Sequence, residues 1–375
     1  MKNLILIVLL LLLSFQNGQS QSTKEVTILY LIPLHIDDSV IDINKIESDL
    51  DIYEIPSFEM MGFWEGAKLA IQSYENSNKI VKVVVRDVTT DENKLLKILQ
   101  DEKLMKDVDL IIGPFYGSLF PIASKYAEEH KIKIINPFST RTNFVSDNRS
   151  VYKLIPPLSS RPESLHKKIV TKYPDYSIIL WYDAEDNIEL TTYETYFKTH
   201  QIPYTLTKVK PENYSLNLSL SSTKHNIIIA LFQNQTNVIN QMRLLEGTHN
   251  QYKFSLIFPE EWLQVSSLDE DFYGMPNIYY FSNYYVDQKS VEVKDFKTDY
   301  FSYYQSPCQL ERYSYQGYDI TKYFIDLYFA GFNEKNVTYI PLAYKFKFKQ
   351  WSNGGLENDK VRLIEIQNYE KMEIE

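Results

Sequence analysis

Short, almost wholly apolar runs recur along this chain, most of them separated by a segment whose apolar residues fall at helical spacing. This alternation restricts the fold more than any other feature. An apolar run of four to nine residues suits a strand buried on both faces, and two parallel strands need a crossover long enough to contain a helix. The first series comprises VTILYLIPL (26–34), KIVKVVVRDV (79–88), VDLIIGP (108–114) and IKIINPF (132–138). Between them, Met60, Trp64, Ala67, Ile71 and Tyr74 share one helical face, as do Leu119, Ile122, Ala123 and Tyr126. Leu95, Ile98 and Leu99 mark a further helix, with Asp91 placed to cap it. Right-handed crossovers then wind one α/β unit around a parallel sheet.

Pro156-Pro157 closes the segment SVYKLIPP and disfavours helix, so the chain is expected to cross to a second lobe there. The alternation then restarts. A helix is expected over about 163–172, a strand in YSIILWYD, a helix over 185–199, strands in IPYTLTKV and HNIIIALF, a helix over 237–245 and a strand in KFSLIFP. NIYYFSNYY (277–285) is extended, and the helical segments VKDFKTDYFSYYQ and YDITKYFIDLYFAG are expected to return and cover the first sheet. LAYKFKFKQWSNGG and VRLIEI read as a closing hairpin around Asn353-Gly354-Gly355. The fold class is therefore α/β, with two Rossmann-like, doubly wound lobes.

At 375 residues and 44% hydrophobic, the chain is long enough for two cores. Lys2, the apolar run from Leu4 to Leu13, and small residues at Gly18 and Ser20 read as a signal peptide over 1–20. The run is too short for a membrane span, so no direct span is expected after cleavage, and the mature protein is expected in the periplasm or, alternatively, secreted. Cys308 is the sole cysteine, which excludes an intrachain disulfide. A net charge of −10 without any block of Lys or Arg excludes nucleic acid as the expected partner. Asn-x-Ser/Thr triplets begin at Asn148, Asn213, Asn217, Asn234 and Asn336, a frequency that chance produces in a chain rich in these residues.

In open α/β sheets, ligands bind beyond the carboxyl ends of the strands. Gly-Pro-Phe-Tyr-Gly-Ser (113–118) lies at such an end, with Gly113 and Gly117 expected to allow tight backbone geometry and Ser118 expected at the cap of the next helix. Two readings are open: the turn caps its helix, or it holds a small anion such as a carboxylate. Ser139, Thr140 and Arg141 follow the neighbouring strand. In the second half, Tyr182 and Asp183 end one strand, and Glu260, Glu261 and Trp262 follow another, where an acid could meet an ammonium group or simply cap a helix. Most of the thirty tyrosines, Tyr279, Tyr280, Tyr284 and Tyr285 among them, are expected in cores and interfaces.

Catalytic signatures are scarce. The six His residues lack a metal spacing such as His-Glu-x-x-His, and Ser118 lies in Gly-Ser-Leu rather than Gly-x-Ser-x-Gly. The Gly113-x-x-x-Gly117 spacing matches neither a dinucleotide fingerprint nor a P-loop. The expected protein is not an enzyme, with no catalytic set, no metal and no cofactor.

The stretches FWEGAKLAI, DLIIGPFYGSLFPIASKYAEEHKIKIINPFST, FPEEWL, YSYQGYDITKYFIDLYFAG and FKFKQWSNGGLEN, taken in order, resemble the type I periplasmic binding proteins. The likeness is to their branched-chain amino-acid (Leu/Ile/Val) binding branch, in a Bacteroidetes-type version. It runs from about residue 26 to the end of the chain. The resemblance implies two lobes joined by hinge strands: 24–153 with 286–335 as lobe 1, and 154–285 with 336–375 as lobe 2. It implies a cleft in which Tyr116, Gly117, Ser118, Ser139 and Thr140 meet the carboxylate and amino group of a small ligand. Glu260 then assists with the ammonium, and Tyr182 or Asp183 lines the opposing wall. An ABC permease or membrane sensor is the implied partner. The chain departs from the family in having Gly117-Ser118 where a paired Ser is usual and in lacking the family disulfide. Other ligands, a sugar or short peptide, therefore stay open. So does a role as an envelope receptor that binds a protein or peptidoglycan, with the acidic stretch 37–54 as its surface.

Overall fold

A computed structural model describes residues 24–36, 56–209, 216, 218–268 and 270–374. The expected signal segment, the acidic stretch 37–54, and Asn213 and Asn217 lie outside the described residues. Strands β1 (Lys24–Ile32), β2 (Lys79–Asp87), β3 (Leu110–Ile112), β4 (Lys133–Asn136) and β5 (Val151–Lys153) pair in parallel in the order β2-β1-β3-β4-β5. Strands β6 (Tyr176–Tyr182), β7 (Thr205–Lys208), β8 (His225–Leu231), β9 (Phe254–Phe258) and β10 (Ile278–Ser282) repeat that order as β7-β6-β8-β9-β10. Each lobe thus has the 2-1-3-4-5 order of a doubly wound sheet, whose direction of winding reverses between its first and third strands.

Alternation along the strands builds a core on each face. In β1, Val26, Ile28, Tyr30 and Ile32 enter one cluster, while Leu29 and Leu31 enter the other. In β6, Ile179 and Trp181 face one way, and Ile178, Leu180 and Tyr182 the other. Burying each such large side chain contributes about 1.5–3 kcal/mol, so no disulfide is needed to hold either lobe.

The first lobe is covered by α1 (Pro56–Gln72), α2 (Glu92–Leu99), α3 (Glu102–Met105) and α4 (Phe120–Glu129). The second carries α5 (Ser160–Lys168), α6 (Ile188–Thr199), α7 (Gln235–Glu246) and α8 (Glu270–Gly274). Caps set several boundaries. Asp91 accepts from the amides of Asn93 and Lys94, Asn187 from Glu189 and Leu190, and Asn234 from Thr236 and Asn237. Helices α9 (Val291–Tyr304) and α10 (Glu311–Phe329) return to the first lobe as expected, with Ile320 and Phe324 of α10 in the core on β1.

The end of the chain departs from expectation. Strands β11 (Phe348–Gln350) and β12 (Leu356–Asn358) form a hairpin that extends the first sheet through β5, whereas β13 (Arg362–Gln367) and β14 (Glu370–Ile374) extend the second through β10. The expected placement of 336–375 in lobe 2 therefore holds only from about 362 onward, and VRLIEI pairs with β14 rather than with the Asn353-Gly354-Gly355 hairpin. Asn358 explains the early return: its amide donates to Leu154 O at 3.0 Å and Lys345 O at 2.9 Å, tying the hairpin to the end of β5. The chain consequently crosses between lobes three times, after β5, after β10 and between β12 and β13.

Near these crossings a buried carboxylate organises the backbone. Asp319 of α10 accepts from the amides of Leu342, Ala343 and Tyr344 and from the Tyr339 hydroxyl. Burial raises its pKa to about 6 against the pull of those four donors. Arg362 of the second sheet donates to Ala343 O, while Glu373 of the same sheet pairs with both Arg362 and Lys345 at 2.6 Å and 2.9 Å.

Candidate functional site

The winding of the first sheet reverses between β1 and β3, and the loops beyond those strand ends gather the polar groups of lobe 1. Gly113 ends β3 with φ at +100°, and a Cβ there would lie 2.4 Å from Leu31 O, so only glycine fits. Gly117 has no such requirement: its φ is not left-handed and its nearest neighbour atom, on Phe144, is 3.9 Å from a would-be Cβ. Ser118 does not cap the following helix either. Leu119 holds that position without a side-chain hydrogen bond, leaving the exposed Ser118 hydroxyl without a partner among the described residues.

Beside this turn, the β4 loop is shaped by Asn136, whose Oδ1 accepts from the Ser139 amide at 2.7 Å. Ser139 Oγ in turn accepts from the Arg141 amide at 3.1 Å. Thr140 is exposed and its hydroxyl is unpartnered among the described residues. Asn136 is fully buried, yet its Nδ2 has no hydrogen-bond partner. A buried donor of this kind costs about 1–3 kcal/mol unless something supplies an acceptor. From the β1 end, His35 Nε2 lies 3.0 Å from the exposed Tyr116 hydroxyl, and Asp87 of β2 accepts the amides of Leu34, His35 and Ile36. This edge of lobe 1 thus presents two unpartnered hydroxyls, on Ser118 and Thr140, while the unsatisfied Asn136 amide is buried.

The second lobe reverses between β6 and β8. Asp183 there is occupied with its own scaffold, accepting from the amides of Gln233 and Asn234 and from Asn237 Nδ2, all within 3.0 Å. It braces the start of α7. Tyr182 is buried, with its hydroxyl 3.4 Å from Glu185. Glu260 is half-buried and accepts from the Ser282 hydroxyl at 2.7 Å. Burial raises its pKa and Glu261 adds to the rise, while the Ser282 bond, Arg312 and Arg161 act against it. Arg161 pairs with Glu189 at 2.7 Å and lies over Phe281, and Arg312, from lobe 1, lies over the Tyr284 ring.

A cavity of about 560 Å³ of mixed lining opens at the same edge, with Leu158, Ile188, Phe232, Trp262 and Val265 on its apolar part and Gln233, Gln235, Gln264, Glu189 and Glu261 among its polar groups. Phe232 and Trp262 are buried and stacked, their centroids 5.6 Å apart. Tyr279 and Tyr280 belong to the core, as expected. Sequence reasoning missed His35, Asn136, Arg161, Ser282, Arg312 and this cavity. Only Asn136 carried a local signal, a polar residue ending an apolar strand. Among the described residues there is no cluster of three or more metal-ligating side chains, and no helix is long and apolar enough to cross a membrane.

Two lobes of identical strand order, three chain crossings and polar loops at both reversal points define the type I periplasmic binding protein fold. Solved structures share it over nearly the whole chain. A Rhodospirillum rubrum protein assigned to branched-chain amino acid ABC transport superposes with a TM-score of 0.64 at 9% identity, covering 93% of this chain and all of its own. An ABC transporter substrate-binding protein from Desulfitobacterium hafniense gives 0.57 at 14% identity, over 94% of this chain and 100% of its own. A branched-chain amino acid ABC transporter periplasmic ligand-binding protein from Burkholderia xenovorans gives 0.56 at 11%, over 93% and 94%. At these identities the likeness is one of fold. No protein-family model matches the sequence, and no curated protein matches it significantly.

Proposed function

We infer that this chain is an exported solute-binding protein whose two lobes close over a small polar ligand, an amino acid or a related compound, for delivery to an ABC permease or a membrane sensor. The observation that supports this reading is the presence of opposite chemistries at the carboxyl strand ends of the two lobes, beyond β3 and β4 in one and β9 in the other. Lobe 1 offers donors without acceptors, in Ser118, Thr140 and Asn136 Nδ2. Lobe 2 offers Glu260, a half-buried acid. A carboxylate suits the first set and an ammonium the second, and a ligand bearing both stabilises the closed arrangement by its differential affinity. Tyr116, Gly117 and Ser139 complete the lobe 1 wall in this reading. Tyr182 lies at the β6 end of lobe 2, while Asp183 braces the start of α7. The apolar part of the cavity, beside Phe232 and Trp262, would take a hydrophobic side chain.

The test is a thermal-shift screen of free amino acids and short peptides, since selective binding to the folded state raises the melting temperature. One or more should stabilise the protein, and the double variant Ser118→Ala/Ser139→Ala should abolish the shift while leaving the unliganded melt in place. Glu260→Gln should weaken a zwitterionic ligand more than a simple carboxylate. If no amino acid, peptide or sugar raises the melt while envelope extracts yield one bound protein, the receptor reading replaces this one.

A further inference from the structure

A second cavity, of about 540 Å³, lies away from both reversal points, where α5 of lobe 2 faces the β11-β12 hairpin of lobe 1 and the crossing at 359–361. None of Tyr116, Ser118, Ser139, Thr140 or Glu260 lines it. Five lysines do, on a chain whose carboxylates outnumber its basic groups by 49 to 39. Three acids line it as well, leaving the lysines in excess: Asp359 has no ion-pair partner within 4.0 Å among the described residues, and the other two are engaged. Glu163 pairs with Lys167, and Glu357 with the buried Lys153 at 3.0 Å and the Trp351 indole N–H at 3.2 Å. Lys347, Lys349 and Lys360 are exposed and have no acidic partner within 4.0 Å among the described residues. Ser159 and Ser160 bring hydroxyls that are likewise unpartnered, and Trp351 supplies a ring whose N–H is already committed.

Like charges gathered around one concavity repel, and that cost is relieved when a multivalent anion enters. Lysine acts as a point charge toward phosphate, and a phosphate group adds nearly two negative charges and three acceptor oxygens in a small volume, which suits three ammonium groups flanked by hydroxyls. We propose that this groove between the lobes is a second binding site, for a small phosphate-bearing organic anion whose ring or apolar body lies beside Trp351. Because its walls come from both lobes, such a ligand braces them at a fixed separation and couples to events in the cleft.

The test uses the mature chain with two probes, inorganic pyrophosphate and adenosine 5′-diphosphate, followed by titration calorimetry. Both are expected to bind saturably, with affinity falling at least threefold between 50 and 200 mM salt. The diphosphate nucleoside should bind more tightly and quench a tryptophan signal that Trp351→Phe removes. Lys347→Gln/Lys349→Gln alters only exposed side chains and should lower affinity for both probes at least tenfold, whereas Ser118→Ala/Ser139→Ala should leave it unchanged. Absence of saturable binding at millimolar probe, or binding that the lysine variant does not change, overturns the proposal. Loss of binding in the serine variant does so too, because it moves the anion into the cleft, and none of these results bears on amino-acid binding there.

Discussion

Replacing Gly317 with alanine probes the contact between α1 and α10 within lobe 1. Helices α1 and α10 run side by side with their backbones touching: a Cβ on Gly317 would lie 1.9 Å from Phe63 O and 2.8 Å from Phe63 C, and one on Gly66 would lie 1.9 Å from Ser314 O. Ordinary contact begins near 3.4 Å, so Gly317→Ala must part the helices by about 1.5 Å or distort one of them. In an isolated helix alanine is favoured over glycine by about 1 kcal/mol. Overpacking against side chains costs about 1–3 kcal/mol, and here the obstacle is main chain, which cannot turn aside. The net loss should therefore be about 2 kcal/mol or more, which for a lobe of this size lowers the melting temperature by roughly 4–8 °C. Calorimetry resolves the two lobes if they melt separately, and only the transition assigned to lobe 1 should move. Gly247→Ala is the control, since its nearest neighbour atom is 3.6 Å away and its φ is not left-handed. A Gly317→Ala protein that melts within 1 °C of the parent, or above it, would refute the backbone contact.

Other perturbations have equally definite outcomes. Asp319→Ala leaves three backbone amides and the Tyr339 hydroxyl without their acceptor, and should cost on the order of 3 kcal/mol or more in chemical denaturation. Burial acts to raise the Glu373 pKa, but Arg362 and Lys345 outweigh it and the net shift is downward. A depressed carboxyl stabilises above its unfolded pKa and loses that contribution as pH falls through the folded value. Glu373→Gln should therefore flatten the fall in melting temperature below about pH 4.3, and a slope identical to the parent's would contradict the pairing. Asp183→Ala should loosen the start of α7, seen as faster amide exchange at Gln233 and Asn234, with ligand affinity falling through loss of positioning.

The two doubly wound sheets were legible because most of their parallel strands are local apolar runs, and because cap residues such as Asp91 announce themselves beside their helices. What escaped were features fixed by distant partners. The strands 348–350 and 356–358 are short and polar, and nothing local assigns them to the first sheet; the decision rests on Asn358 reaching the end of β5. The loops after β3, β4, β6 and β9 were singled out from their position at strand ends, but the hydrogen bonds their side chains make were not legible there. Ser118 resembles a cap in sequence, but Leu119 takes that place, and Asp183 resembles a ligand group but is consumed by the α7 loop. Arg161 and Arg312 sit in no motif; Arg161 reaches the Glu260 region from a helix distant in sequence within lobe 2, and Arg312 from lobe 1.

Small-angle X-ray scattering of the purified protein, titrated with pooled amino acids and short peptides, tests lobe closure most directly. A saturable fall in the radius of gyration is predicted, absent when Ser118, Ser139 and Glu260 are replaced together by Ala, Ala and Gln. Saturable binding that leaves the radius unchanged, or a fall that persists in the triple variant, would contradict closure over a ligand held by these groups.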